Sequence, residues 1–231
     1  MTVNRTTAYA TTSGIALPKQ PGAPAREACG PLPAAVVRDL RARAGHSPHG
    51  LLFGSSDVVV VTGLPGSGKS TLMRRAVTGP RIDSQDTRDR WDAGTARWLP
   101  YAVYRPFVRL AHYAGLRRAL RSGAGVVVHD CGTQAWVRRW LAREARRRGG
   151  SLHLLLLDVP PGTALRGQRD RGRGVSRYAF ARHRGAVTRL LRAVEKGDLP
   201  EGCGSAVLID REAADVLRRI DFDGRAVTDA D

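Results

Sequence analysis

From Asp57 onward the chain alternates short apolar runs with longer stretches whose apolar residues recur every three to four positions. The first rhythm marks buried strands and the second amphipathic helices, and their alternation builds a parallel sheet covered on both faces. Five strands are predicted: Val58–Thr62, a short one at Arg81–Asp83 after the Gly79-Pro80 turn, Gly125–His129, Leu152–Leu157 and Ala206–Ile209. A helix is predicted from Pro106 to Leu120, with the proline in its first turn and Phe107, Leu110, Ala111, Ala114 and Leu120 on its apolar face. Another runs from Gln134 to Arg148, capped by Thr133 and stopped by Gly149-Gly150, with Trp136, Val137, Trp140, Leu141 and Ala145 as its buried stripe. Ser176 caps a long helix reaching Lys196, whose inner face is Phe180, Val187, Leu190, Leu191 and Val194. A last helix starts near Asp210 and ends before Phe222.

Upstream this rhythm is absent. Residues 1–31 are rich in Thr, Ala, Pro and Gly and read as a flexible arm, because they offer too little apolar surface to offset ordering. Residues 32–56 read as a lead-in. A short helix follows Pro33, with Ala34, Val37, Leu40 and Ala44 at helical spacing and Gly45 closing it, and His46 to Ser56 is loop. The main domain then spans 57–223 and a polar tail 224–231.

One segment carries a specific chemical signal. Gly63-Leu64-Pro65-Gly66-Ser67-Gly68-Lys69-Ser70, directly after the Val58–Thr62 run, is a complete G-x-x-x-x-G-K-[ST] signature. A phosphate-cradling loop must turn sharply out of a buried strand and aim backbone N–H groups at phosphate oxygens, which requires glycine where a Cβ would block the turn or the ligand. Lys69 then reaches the β- and γ-phosphates of a bound ATP, the Ser70 hydroxyl is placed to ligate Mg²⁺, and Thr71 continues into the following helix. The lysine is not explained by general basicity, since Lys19, Lys69 and Lys196 are the only lysines beside thirty-five arginines.

In a parallel sheet, groups at the carboxyl ends of the strands converge on one edge beside such a loop. Three of the other predicted strands end in aspartate. Asp130, after Val126-Val127-Val128-His129, reads either as a second Mg²⁺ ligand or as a cap of the turn Cys131-Gly132-Thr133. Asp158 leads into Pro160-Pro161, a rigid exit, and reads as structural. Asp83, Asp86 and Arg88 lie at the mouth of the second strand, where a carboxylate would orient an acceptor hydroxyl and take its proton while an arginine clamps a phosphate. The competing reading of these three is an ordinary acidic helix start. Arg166, Arg169 and Arg173 belong to a glycine-interspersed run that closes over a triphosphate as a mobile lid, or is simply a solvated basic loop.

Composition adds three constraints. A chain of 231 residues with 42% apolar content suits one principal domain. A net charge of +17 points to an anionic partner, a nucleotide or a nucleic acid, although part of that excess is equally a solvated arginine-rich surface. Neither a membrane span nor secretion is expected, and the widely spaced Cys29, Cys131 and Cys203 suit a reducing, cytoplasmic setting.

The order of these segments resembles the polynucleotide-kinase-like small P-loop kinases, to which zeta toxins and antibiotic phosphotransferases are related. The resemblance rests on GLPGSGKS after a strand, an acidic element with a following arginine, VVVHDCGT, and LLLLDVPP followed by an R-x-x-R-x-R lid, and it covers about Asp57 to Phe222. It implies an α/β P-loop NTPase fold, a five-stranded parallel sheet with helices on both faces and an Arg-rich lid. It further implies ATP as donor and Mg²⁺ as cofactor, with Lys69 and Ser70 on phosphates and metal, Asp130 near the metal and the three lid arginines over the phosphates. One departure stands out. Polynucleotide kinases of this group carry two adjacent aspartates three and two residues before the arginine, whereas this chain has Gln85 and Asp86 before Arg88 and Asp83 at an offset position. The implied activity is γ-phosphoryl transfer to a hydroxyl acceptor, with a 5′-hydroxyl polynucleotide kinase or a nucleotide-binding switch as alternatives.

Overall fold

Val58–Gly63 is completely buried, as a β-branched run covered on both faces must be. The computed structural model describes residues 15–16, 36–43, 46–83, 101–129, 135–170 and 176–222. In chain order the strands are β1 (Ile15–Ala16), β2 (Val36–Asp39), β3 (Gly50–Phe53), β4 (Val58–Gly63), β5 (Arg81–Ile82), β6 (Val126–His129), β7 (Leu152–Leu157), β8 (Cys203–Ile209) and β9 (Arg219–Phe222). The helices are α1 (Lys69–Ala76), α2 (Tyr101–Arg121), α3 (Ala135–Arg147), α4 (Pro161–Arg169), α5 (Arg177–Glu195) and α6 (Arg211–Val216).

The main sheet has six strands in the order β2-β8-β7-β4-β6-β5, and every neighbouring pair is parallel. Alternate residues of β4 point to opposite faces. Val59 and Val61 join a core with Leu72, Met73 and Ala76 of α1 and with Leu217 and Ile220, whereas Val58 and Val60 face Leu116 and Leu120 of α2, Leu141 of α3 and Leu190 of α5. The chain leaves β4 toward β5 and β6 on one side and later builds β7 and β8 on the other. A crevice therefore opens at the carboxyl end of β4, where strand order reverses.

The lead-in differs from its expectation. Where a helix after Pro33 and then a loop were predicted, β2 pairs with the free edge of β8 and β3 joins β1 and β9 in a second, three-stranded parallel sheet. The helical spacing of Val37 and Leu40 is real, but an available strand edge and the β-branched pair Val36-Val37 outweigh it. The strand β1 likewise lies within the residues read as an arm. The last helix ends before Phe222 as expected, at Val216, but Ile220 and Phe222, alternating with polar residues, form the unpredicted strand β9.

Two helix faces are rotated from prediction. Leu110 is 68% exposed and Ala114 is exposed, because α2 buries Leu116 and Leu120, and Leu110 lies six residues from Leu116, about 240° round the helix. On α3 the buried line is Val137, Leu141 and Ala145, which leaves Trp136 at 51% exposure. The remaining boundaries follow the predicted caps. The Ser176 hydroxyl accepts from the Ala179 N–H at the start of α5, and α3 ends just before Gly149. The helix α2 starts at Tyr101, five residues ahead of the predicted Pro106.

Asp57 anchors the entry to β4. Its carboxylate accepts from the Gly54 and Ser151 N–H groups at 2.6 and 2.7 Å, and His153 Nε2 lies 2.9 Å away with Nδ1 on the Ser205 hydroxyl. Burial works to raise the Asp57 pKa, but the hydrogen bonds from His153, Ser151 and Gly54 outweigh it and hold the group below the ordinary carboxylate range. A carboxylate lowered in this way stabilises the fold above its unfolded pKa, and that stability is lost as pH falls below about 4 through the folded value. Asp57→Ala is expected to cost about 2–4 kcal/mol in urea unfolding at neutral pH, with a flatter loss on acidification than the native chain. Equal stabilities at pH 7 would rule out this anchoring role.

Candidate nucleotide site

The loop from Gly63 to Lys69 folds as the signature requires. Gly66 and Gly68 stand at φ +84° and +101°, in the left-handed region that favours glycine, and Gly68 caps α1 while its carbonyl accepts from the Leu72 N–H. Lys69 is buried, and its Nζ donates to the Gly63 and Leu64 carbonyls at 2.9 and 2.6 Å. The amine is thus held inside the curl of the loop. Ser70 is buried in the first turn of α1, and Thr71 is exposed one residue on. Ser67 Oγ is buried without a hydrogen-bond partner among the described residues, a polar atom that a phosphate oxygen would satisfy. Leu64 secures the loop from beneath by packing with Ala164, Phe180 and Val187.

The helix α4 crosses the loop at close range. A side chain on Gly66 would overlap the Ala164 carbonyl oxygen, and one on Gly167 would begin 2.6 Å from the Gly66 carbonyl oxygen. The glycine-interspersed run is expected to be mobile, but its first glycine, Gly167, lies in a regular helix and allows backbone to meet backbone. Arg166 and Arg169 come with that helix to the wall of a cleft of about 560 Å³ beside Gly66, with Thr163, Asp170 and Arg211. Arg173 lies outside the described residues.

Arg211 is absent from the residues expected at the site. It opens α6 immediately past β8, with Nη1 3.0 Å from where a Gly68 side chain would start and Nε on Asp215 at 3.2 Å. Its only signal in the sequence is its place two residues after an apolar strand, Ala206–Ile209, in a chain crowded with arginine. Arg211→Ala is expected to weaken ATP binding about 2- to 5-fold, the scale of a half-exposed charge contact, without loss of stability. Calorimetric titration checks it, and an unchanged affinity would remove Arg211 from the site.

On the other flank, Asp83 follows β5 directly and is 3% exposed. Its Oδ1 lies 2.7 Å from Nδ1 of His129, the last residue of β6. His112 of α2 stands behind the pair. Burial, with a further contribution from His129, lowers its pKa below the ordinary imidazole value against the opposing pull of Asp83. His129, read from the sequence only as the end of a strand, thus joins the acidic edge. Asp86, Arg88 and Asp130 lie outside the described residues. Asp158 is drawn away from the edge, accepting from Arg41 at 2.7 Å, and Arg41 also binds Asp39 and Glu195. That network holds β2 against the sheet and accounts for Asp158 as a structural residue.

A sequence profile described as an AAA domain (AAA_33) matches residues 58–196, from the first residue of β4 to just past α5. The chain belongs to the AAA domain family. This AAA domain is a P-loop NTPase fold in which the matched region contains the loop, the acidic edge and the α4 arginines. No curated protein matches it in sequence. Solved structures similar to it include one from the PezAT toxin–antitoxin system of Streptococcus pneumoniae, at 13% identity over 75% of this chain and 81% of that one, TM-score 0.47. The tunicamycin resistance protein of Deinococcus radiodurans aligns at 17% identity over 59% and 80%, TM-score 0.37. A structure of the Pnkp1/Rnl/Hen1 RNA repair complex aligns at 18% identity over 62% and 46%, TM-score 0.42. No helix among the described residues is long and apolar enough to cross a membrane.

Proposed function

We propose that this AAA domain is a phosphotransferase that moves the γ-phosphoryl group of ATP to a hydroxyl acceptor, with Mg²⁺ as cofactor, in the cytoplasm. The observation that carries this reading is the gathering, at the carboxyl edge of one sheet, of a loop enclosing a buried lysine amine, two arginines on α4 and a buried carboxylate at the end of β5. Lys69 exchanges the Gly63 and Leu64 carbonyls for phosphate oxygens, and the backbone N–H groups of Gly66 to Thr71 cradle the remainder. Ser70 and Asp130 would hold Mg²⁺, which neutralises charge on the phosphate oxygens when bound.

Chemically, the acceptor oxygen attacks the γ-phosphorus and the bond to the ADP oxygen breaks. Asp83 orients the hydroxyl and takes its proton, while Arg166, Arg169 and Arg173 spread the charge of the transferring group and Arg88 clamps the acceptor side. A second reading has its own support. Asp83 is almost wholly buried and committed to His129, an arrangement that also suits a nucleotide-binding switch with slow turnover. Acceptor-stimulated ADP release, screened across nucleosides, 5′-hydroxyl oligonucleotides, sugars and aminoglycosides, separates the two. The phosphotransferase reading predicts stimulation by one class, and the switch reading predicts ATP binding with none.

A further inference from the structure

The outer face of α3 carries an arrangement that the nucleotide site does not use. Trp136, Arg139, Arg143 and Arg146 fall three, four and three residues apart, so they share one stripe, and all four are exposed. Most large apolar side chains in this fold are buried, and a half-exposed indole in the first turn of a helix is an outlier. It is also braced. The Tyr113 ring lies 5.6 Å from Trp136 and 6.4 Å from Trp140, which fixes the indole from one side and leaves the remainder open to solvent.

The arginines of the stripe differ from others in the chain. Arg148 is consumed by the Leu120, Ala124 and Ser56 carbonyls, and Arg41 by three carboxylates. Arg139, Arg143 and Arg146 make no ion pair or hydrogen bond among the described residues. They line a hollow of about 160 Å³ with Ala142 and Glu201, the one carboxylate at its rim. Along the helix axis they are spaced by about 4.5–6 Å, which suits the backbone of an extended single strand.

Direction matters as well. The helix α3 starts beyond the carboxyl end of β6, where the Asp83–His129 pair sits, and ends near Gly202 at the amino end of β8, beside the Arg146 guanidinium. The stripe therefore leads from the edge that holds the nucleotide loop to the opposite edge of the sheet, with the aromatic residue nearest the site.

We propose that this stripe is a docking track for single-stranded nucleic acid, with one base stacked on Trp136 and backbone phosphates on Arg139, Arg143 and Arg146. An exposed aromatic followed by a row of unpaired cations is the combination that binds single strands without sequence preference, because every base has a stacking face. A duplex offers the phosphates but not the free base. The inference deepens the phosphotransferase reading by naming a polynucleotide as the macromolecule on the acceptor side, yet it rests on α3 alone and is tested without turnover.

The test is fluorescence anisotropy of the full chain with a labelled single-stranded oligodeoxynucleotide of about 15 nucleotides across a salt series. Replacing Arg139, Arg143 and Arg146 together by alanine is expected to weaken binding and to flatten the slope of log affinity against log salt by about 2. Trp136→Ala is expected to weaken binding about 5- to 100-fold with the slope unchanged. The exposed set Arg117, Arg118 and Arg121 on α2, replaced together, removes the same charge from another helix and is expected to have the smaller effect. Equal losses from both triple variants, an unaffected Trp136→Ala, tighter binding of a duplex of the same length, or no binding by the native chain at low salt would each overturn the proposal. ATP titrations of the same variants separate the two claims: intact ATP binding with lost oligonucleotide binding supports the track, whereas absent ATP binding in the native chain defeats only the phosphotransferase reading.

Discussion

Lys69→Ala is expected to lower ATP affinity at least about 100-fold and to abolish turnover in a chain that remains folded. The amine is buried and donates to two carbonyls of its own loop, so a positive charge already sits where phosphates would enter. Each charge-assisted hydrogen bond to a phosphate oxygen is worth about 1.5–3 kcal/mol, and two of them account for a loss of this size. Stability should fall by no more than about 1–3 kcal/mol, since the change leaves two carbonyls to water and removes nothing from the apolar core. Calorimetry and a thermal melt on the same sample decide the matter. Native affinity in a folded Lys69→Ala chain would sink the phosphate-loop assignment.

Asp83→Asn is expected to lower kcat by about 10²–10⁴-fold with ATP affinity largely retained, because a base acts in the transition state and not on nucleotide binding. The sheet fixes Asp83 at the end of β5, and its 2.7 Å contact to His129 Nδ1 holds the carboxylate in one orientation. Asparagine keeps the shape and a hydrogen-bonding oxygen but cannot take a proton. The rate is compared with the acceptor that gives the largest ADP release. Retention of rate by Asp83→Asn together with its loss in Asp86→Asn would move the base to the register that polynucleotide kinases use. Retention by both would favour the switch reading.

Local chemistry made much of the scaffold readable. The Val58–Thr62 run followed by the glycine loop, the leucine-rich Leu152–Leu157 and the Ser176 cap each carry their own determinants within a few residues, and the structure places strand, strand and helix there. The unread elements depend on partners far along the chain. Val36–Asp39 becomes a strand only because β8 offers an edge, and Gly50–Phe53 pairs with β9 at the other end of the domain. Even the closeness of Gly125 to the Phe222 ring, where a Cβ would overlap the aromatic carbons, has no local sign.

The site divides in the same way. Lys69 and Ser70 were legible because their spacing is itself the chemistry, and Asp83 because it terminates a strand. Arg211 and His129 were not, since an arginine after a strand and a histidine within one acquire meaning only when Gly68 and Asp83 stand beside them. Arg166 and Arg169 stand out by charge, but their setting differs from the expected mobile lid: both lie on the helix Pro161–Arg169, which is held against Gly66.

The most direct test of phosphotransfer is to follow ATP labelled at the γ-phosphorus with the full chain, Mg²⁺ and the acceptor that most stimulates ADP release. The label is expected to appear covalently on the acceptor hydroxyl, in step with ADP, and Lys69→Ala to abolish both. Label recovered only as inorganic phosphate, at a rate indifferent to every acceptor, would contradict phosphotransfer.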